Sequence, residues 1–525
     1  MKKQSFLQGA LILMIAGFIN RIMGFLLRII LVRLVGDEGL GLFQMVYPLF
    51  MTLLLISTAG FPVSISKLIP ERLAKNNLEG SYDLLKVTLV FVCLTSFTVS
   101  LLLYFSAEFI AEHIYSDERT YLIILAIIPC LFMSPMTASF RGFFQGFHTM
   151  IPTALSQIVE QLSRVAATLI LIDMVSYLGL KYQAASIALG ISIGEFSGLL
   201  ILIILFIHHL YSPKSNTREK TQKIKQKSKH NYFNDLKEIC SLAIPITLGR
   251  IVNSLMISGE AILIPRQLQI SGFSVKEATS LYGQLSGMVE QLLYLPTVIT
   301  IALTTSLIPN ISDAYARNNI DKIKNNYQDV IRITTYLGLP ITIIFFTRGS
   351  EICQLLFGYP EAGTILAIMA FSSTFIYFLQ VSSGMLNGLG KPQLALLNLS
   401  IGSLLKLIGI FFLTRQPELG IQGAAISISL GYMLSALLNF ITIGHNIGYG
   451  LNVKQCFLKP MFSSSILLII NPYLTKIIKL LPYKPGSHLE TLIVLFLLII
   501  IYLLIMVLIR AITPEDLDRF KNKGK

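Results

Sequence analysis

Five bases and four acids stand inside stretches of this sequence that are otherwise apolar: Arg21, Arg28, Arg164, Arg250 and Lys406, with Glu160, Glu195, Glu260 and Glu290. A charge at the centre of a bilayer costs about 2.5–3.5 kcal/mol on insertion scales, so each of these needs a partner or a ligand. The surplus is basic, and a guanidinium presents a planar fork of donors matched to phosphate oxygens. The chemistry this implies is the holding of an anionic, phosphate-bearing solute in a wet interior, which suits these residues better than a cationic drug does.

Spacing sorts these residues onto faces. In 141–164 an Arg-Gly turn leads through Gly146 and Pro152 into an apolar helix. There Thr153, Gln157, Glu160, Gln161 and Arg164 recur every three or four residues and share one side. Gly17, Arg21, Gly24 and Arg28 do the same near the start of the chain, and Asn398, Gly402 and Lys406 near residue 400. Asn253 lies close to Arg250, and Gln284 and Gln291 flank Glu290. The expected binding set is Arg21, Arg28, Arg164, Arg250, Lys406, Gln157 and Asn253. Glu160, Glu195, Glu260 and Glu290 are the acids available for ion pairing or for a coupling proton or sodium ion. Glu160 and Arg164 also read as a self-neutralising i,i+4 tie, and Arg28 as a residue snorkelling to the outer interface.

The elements that position these side chains follow from composition. Of 525 residues, 54% are hydrophobic and only 13% charged, about half the charged fraction of a soluble chain. Apolar runs of about 20 residues separated by short polar loops make a polytopic α-helical membrane protein. Fourteen spans are expected: near 7–34, 42–69, 83–106, 120–144, 152–174 and 183–209; then 239–264, 282–309, 328–347, 363–388, 393–414 and 421–445; then 456–475 and 489–511. The net charge of +14 resides mainly in alternate loops, which marks the cytoplasmic side and places both termini there. Lys2 and Lys3 open an uncleaved first helix, and Thr513–Asp516 the capped start of a short surface helix. In-span prolines, Pro48, Pro62, Pro129, Pro135, Pro245 and Pro296, are candidate bends.

The two halves repeat. Asn76 and Asn318, Gly142 and Gly384, Gly146 and Gly388, and Arg164 and Lys406 are each separated by the same 242 positions. Six spans per half put both halves the same way up, related by an axis along the membrane normal, as in transporters. The resulting division is 1–210 as an amino-terminal six-helix lobe, 211–237 as a basic cytoplasmic linker, and 238–447 as a second six-helix lobe. Residues 448–512 add two further membrane helices, and 513–525 form a cytoplasmic tail. No Walker loop is present, the seven histidines do not cluster, and the five cysteines lack metal or disulfide spacing. Neither an enzyme, a metal site nor a cofactor is expected, apart from the coupling ion.

These residues resemble the stage V sporulation protein B and polysaccharide-exporter flippase family, of the superfamily that includes multidrug-and-toxin extruders and lipid II flippases. The likeness is carried by Arg21-Ile-Met-Gly24-Phe25 with Arg33 and Gly36, by Gly60–Lys67, by Arg141–Gly146 running on to Arg164, and by Leu419–Ala425. The resemblance implies an all-α bundle of two six-helix lobes forming a V, with two added helices. It further implies flipping of undecaprenyl-diphosphate-linked saccharide across the bacterial plasma membrane by alternating access, for spore cortex, peptidoglycan or polysaccharide. Arg21 matches a cavity arginine of the lipid II flippases, while the arginine pair of their second helix is replaced around Thr52-Leu53. Competing expectations are an ion-coupled multidrug antiporter and a non-transporting scaffold for sporulation or wall synthesis. Expected partners are the lipid-linked saccharide, membrane lipid and wall-synthesis or sporulation proteins, with no nucleic acid.

Overall fold

A computed structural model describes residues 6–211, 232–448, 452–479, 488–509 and 511. Residues 212–231 of the basic linker and the tail helix expected at Thr513 lie outside them. Every regular element among the described residues is helical.

Eleven helices are individually long and apolar enough to cross a bilayer, and a broken pair, bent by 49°, makes twelve. One of the eleven, Leu11–Ala74, runs for 64 residues, about three times what a single crossing needs. It holds two spans that part at Gly36, whose φ of 71° and ψ of −177° only glycine adopts without strain. With Tyr232–Ile270 the total is fourteen. We number them α1 (6–35), α2 (37–58, continued by Phe61–Ala74), α3 (Leu78–Phe109), α4 (Thr120–Gly146), α5 (Ile151–Met174), α6 (Leu180–Tyr211) and α7 (Tyr232–Ile270). The rest are α8 (Val275–Tyr282 to Thr297–Ala316), α9 (Ile320–Leu356), α10 (Ala362–Gly388), α11 (Pro392–Leu413), α12 (Ile421–Ile447), α13 (Lys459–Lys479) and α14 (His488–Leu508).

Two of the six in-span prolines mark real interruptions. Pro62 starts the second segment of α2 after Ala59 and Gly60 take left-handed φ. Pro296 lies at the 49° break of α8, where a ring on nitrogen removes a ladder bond. Pro129 and Pro135 lie within an unbroken α4. Helix α8 also begins earlier than its apolar run suggests, because a π-helical stretch, Gly283–Val289, joins on the segment Val275–Tyr282, and it runs on to Ala316.

The chain separates into two compact units, residues 1–266 with 275–283, and residues 267–274 with 284–525. Most of α7, which the repeat places in the second half of the sequence, thus belongs by packing to the first unit. Each unit has its own apolar core, around Phe61, Ile65, Ile69 and Phe143 in the first and around Ile311, Tyr327, Phe378 and Met385 in the second.

The repeat holds residue by residue inside each unit. A Cβ on Gly142 would strike the carbonyl oxygen of Pro62, and one on Gly384 the side chain of Thr304; one on Gly146 would strike Ile69, and one on Gly388 Ile311. Pro62 and Thr304, and Ile69 and Ile311, are themselves 242 positions apart. The fourth helix of each half therefore presses a bare glycine edge against the same place on the second, the close approach that small residues permit in membranes. Helix starts repeat too. Asn76 and Asn318 take φ of 55° and 54°, and Asn77 and Asn319 then cap the next helix, accepting from Gly80 N at 2.8 Å and Lys322 N at 3.0 Å.

Within the second unit, α13 and Ala511, just past the end of α14, are tied to α9 by polar bonds. Arg348, at a non-helical φ of −128° within α9, donates through Nε and Nη2 to Asn471 Oδ1 at 2.8 and 2.6 Å, and through Nη1 to Glu351 at 2.9 Å. Tyr336 donates to the Ala511 carbonyl at 2.7 Å. Removing the acceptor leaves a buried guanidinium underbonded, so Asn471→Ala is expected to cost about 2 kcal/mol. The midpoint of thermal unfolding in detergent measures this, and an unchanged midpoint would show the tie to be incidental.

Candidate functional site

The stripe on α5 meets α4 and α6 in a buried charge cluster within the first unit. Glu160 accepts from two arginines, Arg164 Nη2 at 2.6 Å and Arg141 Nη2 at 2.7 Å, one on each carboxylate oxygen. Arg141 Nε also donates to Ser156 Oγ at 3.0 Å. These side chains are 13% (Glu160), 19% (Arg141) and 26% (Arg164) exposed, so the pairs lie mostly out of water, where such bonds are strong and an unpaired charge is costly. Arg164 and Glu160, together with Arg28 of α1, lie within electrostatic reach of the Tyr47 hydroxyl on α2.

Helix α6 closes the cluster with glycines spaced four apart. A Cβ on Gly190 would meet Thr168, one on Gly194 Arg164 and the Glu160 carbonyl at 2.8 Å, and one on Gly198 Glu160 at 3.2 Å. That bare edge brings Glu195, 7% exposed, beside Glu160 and Arg141. The repeat-related base is seated in the same way: Lys406 has its Cβ 2.7 Å from where a Cβ of Gly431 would stand. Its ammonium lies 5.0 Å from the centre of the Tyr432 ring, whose hydroxyl bonds to that of Tyr294. Glu290, one turn before Tyr294, acts on the same hydroxyl. An acid balances the base in the first unit; in the second, an aromatic face helps to offset it.

The structure gathers Arg28, Arg164, Glu160 and Glu195 in the first unit, and Lys406 and Glu290 in the second. Gln157 lies half-buried one turn before Gln161, whose Nε2 stands 3.8 Å from a Cβ on Gly24. Arg21 and Arg250 are exposed, Asn253 is half-buried, and Glu260 is buried on α7. Arg141 joins the cluster although sequence spacing assigned it to a turn. It sits 19 residues before Glu160, and only the α4–α5 hairpin brings the two together. Thr52 meets Ser254 and Ser258, each at 2.8 Å. Its single proton goes to the Pro48 carbonyl at 3.0 Å, so both serines donate to it: an uncharged knot joins α2 to α7.

At one end of the first unit, polar residues clasp 275–283 to α2 and to the α3–α4 connection. Ser280 bonds to Asp37, and Thr279 Oγ1 to Asp117 Oδ2 at 3.4 Å. Arg119 bridges Asp117, at 2.7 Å, and Glu38. A Cβ on Gly41 would run into the Thr279 carbonyl, and one on Gly283 into that of Asp37. The hydrogen bonds that Arg119 donates to Asp117 first, and to Glu38, hold its guanidinium well above its ordinary pKa. The guanidinium therefore stays charged as the pH rises through the working range of a cell, and that rise does not open the clasp.

Among the described residues no group of three His, Cys, Asp or Glu is placed to hold a metal, and Cys93, Cys130, Cys353 and Cys456 are free thiols.

The fold is that of the superfamily containing multidrug extruders and lipid II flippases. A structure titled "Lipid II flippase MurJ, inward closed conformation" aligns with a TM-score of 0.70 at 15% identity, over 94% of this chain and 98% of that one. An inward-facing multidrug resistance transporter of the MATE family aligns with a TM-score of 0.63 at 15% identity, over 81% and 94%. The chain belongs to the polysaccharide biosynthesis protein family, whose model matches residues 6–315; a second model, MatE, matches 286–412. It is 31% identical over 458 residues to Stage V sporulation protein B of Bacillus subtilis (strain 168), covering 87% of this chain and 86% of that protein. Identity to Lipid II flippase MurJ of the same organism is 25% over 469 residues, covering 85% and 84%.

Proposed function

We propose that this protein is a flippase carrying an undecaprenyl-diphosphate-linked saccharide across the bacterial cytoplasmic membrane by alternating access. Both termini are cytoplasmic in this reading, and the saccharide serves spore cortex, peptidoglycan or another wall polysaccharide. The observation that carries it is the arginine-rich cluster of α1, α4 and α5, on helices long and apolar enough to cross a bilayer, where a charge needs a partner or a ligand. Arg164 and Arg28 are the expected diphosphate ligands on that side, with Lys406 the corresponding base of the second half; Arg21, Arg250, Gln157 and Asn253 contact the headgroup during passage. A polar headgroup cannot enter hydrocarbon unaided, and a wet route lined by guanidinium forks supplies what the bilayer withholds.

Reconstitution into vesicles with a labelled undecaprenyl-diphosphate sugar tests this. The native protein should move label to the far leaflet, and Arg164→Gln should lower the rate by at least tenfold, the effect of about 1.4 kcal/mol. Movement of cationic drugs without movement of the lipid would overturn the assignment in favour of antiport.

A further inference from the structure

One acid of the first unit's cluster has no cation of its own. Glu195 lies on the buried face of α6, 7% exposed. On the α4 side its carboxylate is beside the hydroxyls of Thr137 and Ser134, and Ser134 shares a 3.3 Å bond with the Cys130 thiol. Across from it stand Glu160 of α5 and Arg141 of α4. Arg164 of α5 reaches Cys130 electrostatically. Tyr47 of α2 and Arg28 of α1 border the cluster on the side of Arg164 and Glu160. Glu160 holds two guanidinium groups within 2.7 Å. Among the described residues no Lys, Arg or His nitrogen lies within ion-pair distance of Glu195. Arg141 is thus offered two carboxylates and grips one.

We propose that Glu195 is a proton-binding site that couples the charge of this cluster to the binding of an anion. Arg141, Arg164, Glu160 and Glu195 are neutral as a set when Glu195 is ionised, and carry one positive charge when it takes a proton. With Glu195 neutral, Arg141 belongs to Glu160 alone, and Glu160 has less hold on Arg164. The charge is released at Arg164, whose Nε is buried without a hydrogen-bond partner. A proton on Glu195 and an anion at Arg164 therefore favour one another, and the coupling is reciprocal: an anion arriving at Arg164 draws a proton onto Glu195. The proton moves from solvent to a carboxylate oxygen and back, with no other bond made or broken.

The surroundings select a proton over a metal ion. A hard cation collects about six oxygens. This pocket supplies a carboxylate and two hydroxyls, with the Arg141 guanidinium alongside to repel it. The inference rests on the flippase reading only for the identity of the anion.

The test uses the whole protein in proteoliposomes. Infrared difference spectra between acid and alkaline buffer should show a carboxylic-acid C=O band that is lost in Glu195→Gln and displaced, not lost, in Glu195→Asp. Pyrophosphate is then titrated calorimetrically in buffers of different ionisation enthalpy. The native protein should take up a proton with each anion bound, and Glu195→Gln should take up none. Melting curves show whether Glu195→Gln is folded, and Glu195→Asp carries the comparison if it is not. Absence of any Glu195-dependent band overturns the proton site whatever the transported molecule. A band without proton uptake overturns the coupling. A band with no pyrophosphate binding overturns the coupling together with the phosphate-headgroup reading, a result distinct from a missing band.

Discussion

Replacing Glu160 by alanine is expected to lower stability by about 3 kcal/mol, the cost of leaving buried cations without their acid. Arg141 and Arg164 converge on its two oxygens at 2.7 and 2.6 Å, so one deletion strands both. The cost belongs to the broken network and not to the net worth of the pairs, because well-packed apolar side chains of similar size often replace buried ion pairs without loss. The triple variant Arg141→Met, Glu160→Met, Arg164→Met should therefore melt close to the native protein while moving no lipid-linked saccharide. A triple variant that melts as low as Glu160→Ala would show that the cluster is a scaffold the fold cannot do without. One that still transports would remove it from the substrate path.

Gly283→Val is expected to loosen the clasp at residues 275–283. Its added side chain has to occupy the place of the Asp37 carbonyl, and such overpacking costs about 2 kcal/mol. That corresponds to a roughly thirtyfold larger population with the segment released. Amide hydrogen exchange of 275–283 and of 37–41 should accelerate together, while the core around Ile65 and Phe143 keeps its protection. Gly41→Val should reproduce the effect from the other side, against the Thr279 carbonyl. Unchanged exchange in both variants would mean that these close approaches do not hold the segment down.

The fourteen spans were legible because lipid imposes a length and an apolar composition that no other solvent demands. The 242-residue repeat was legible because glycines at Gly142, Gly146, Gly384 and Gly388 meet partners kept in the same register. Boundaries failed where the backbone departs from a regular helix. The polar residues 275–281 begin α8 ahead of its apolar run, and α1 passes into α2 through one glycine with no polar loop between. The Glu160–Arg164 pair could be read from i,i+4 spacing, whereas Arg141 and Arg348 could not. Their acceptors, Glu160 and Asn471, stand 19 and 123 residues away, and no local periodicity encodes that. Glycine spacing on α6 was the available hint that α6 packs closely on α5, which brings Glu195 beside Glu160.

The first unit is not continuous along the chain, and this bears on how it is made. Its final pieces, 232–266 and 275–283, emerge from the ribosome only after the basic segment that follows α6. Until then Gly41 lacks the Thr279 carbonyl it abuts, Thr52 lacks both its serines, and Asp37 lacks Ser280. The six helices inserted first must therefore wait, unfinished, for residues decoded later. A nascent chain halted near residue 210 should be prone to proteolysis, and one halted past 283 should acquire resistance abruptly.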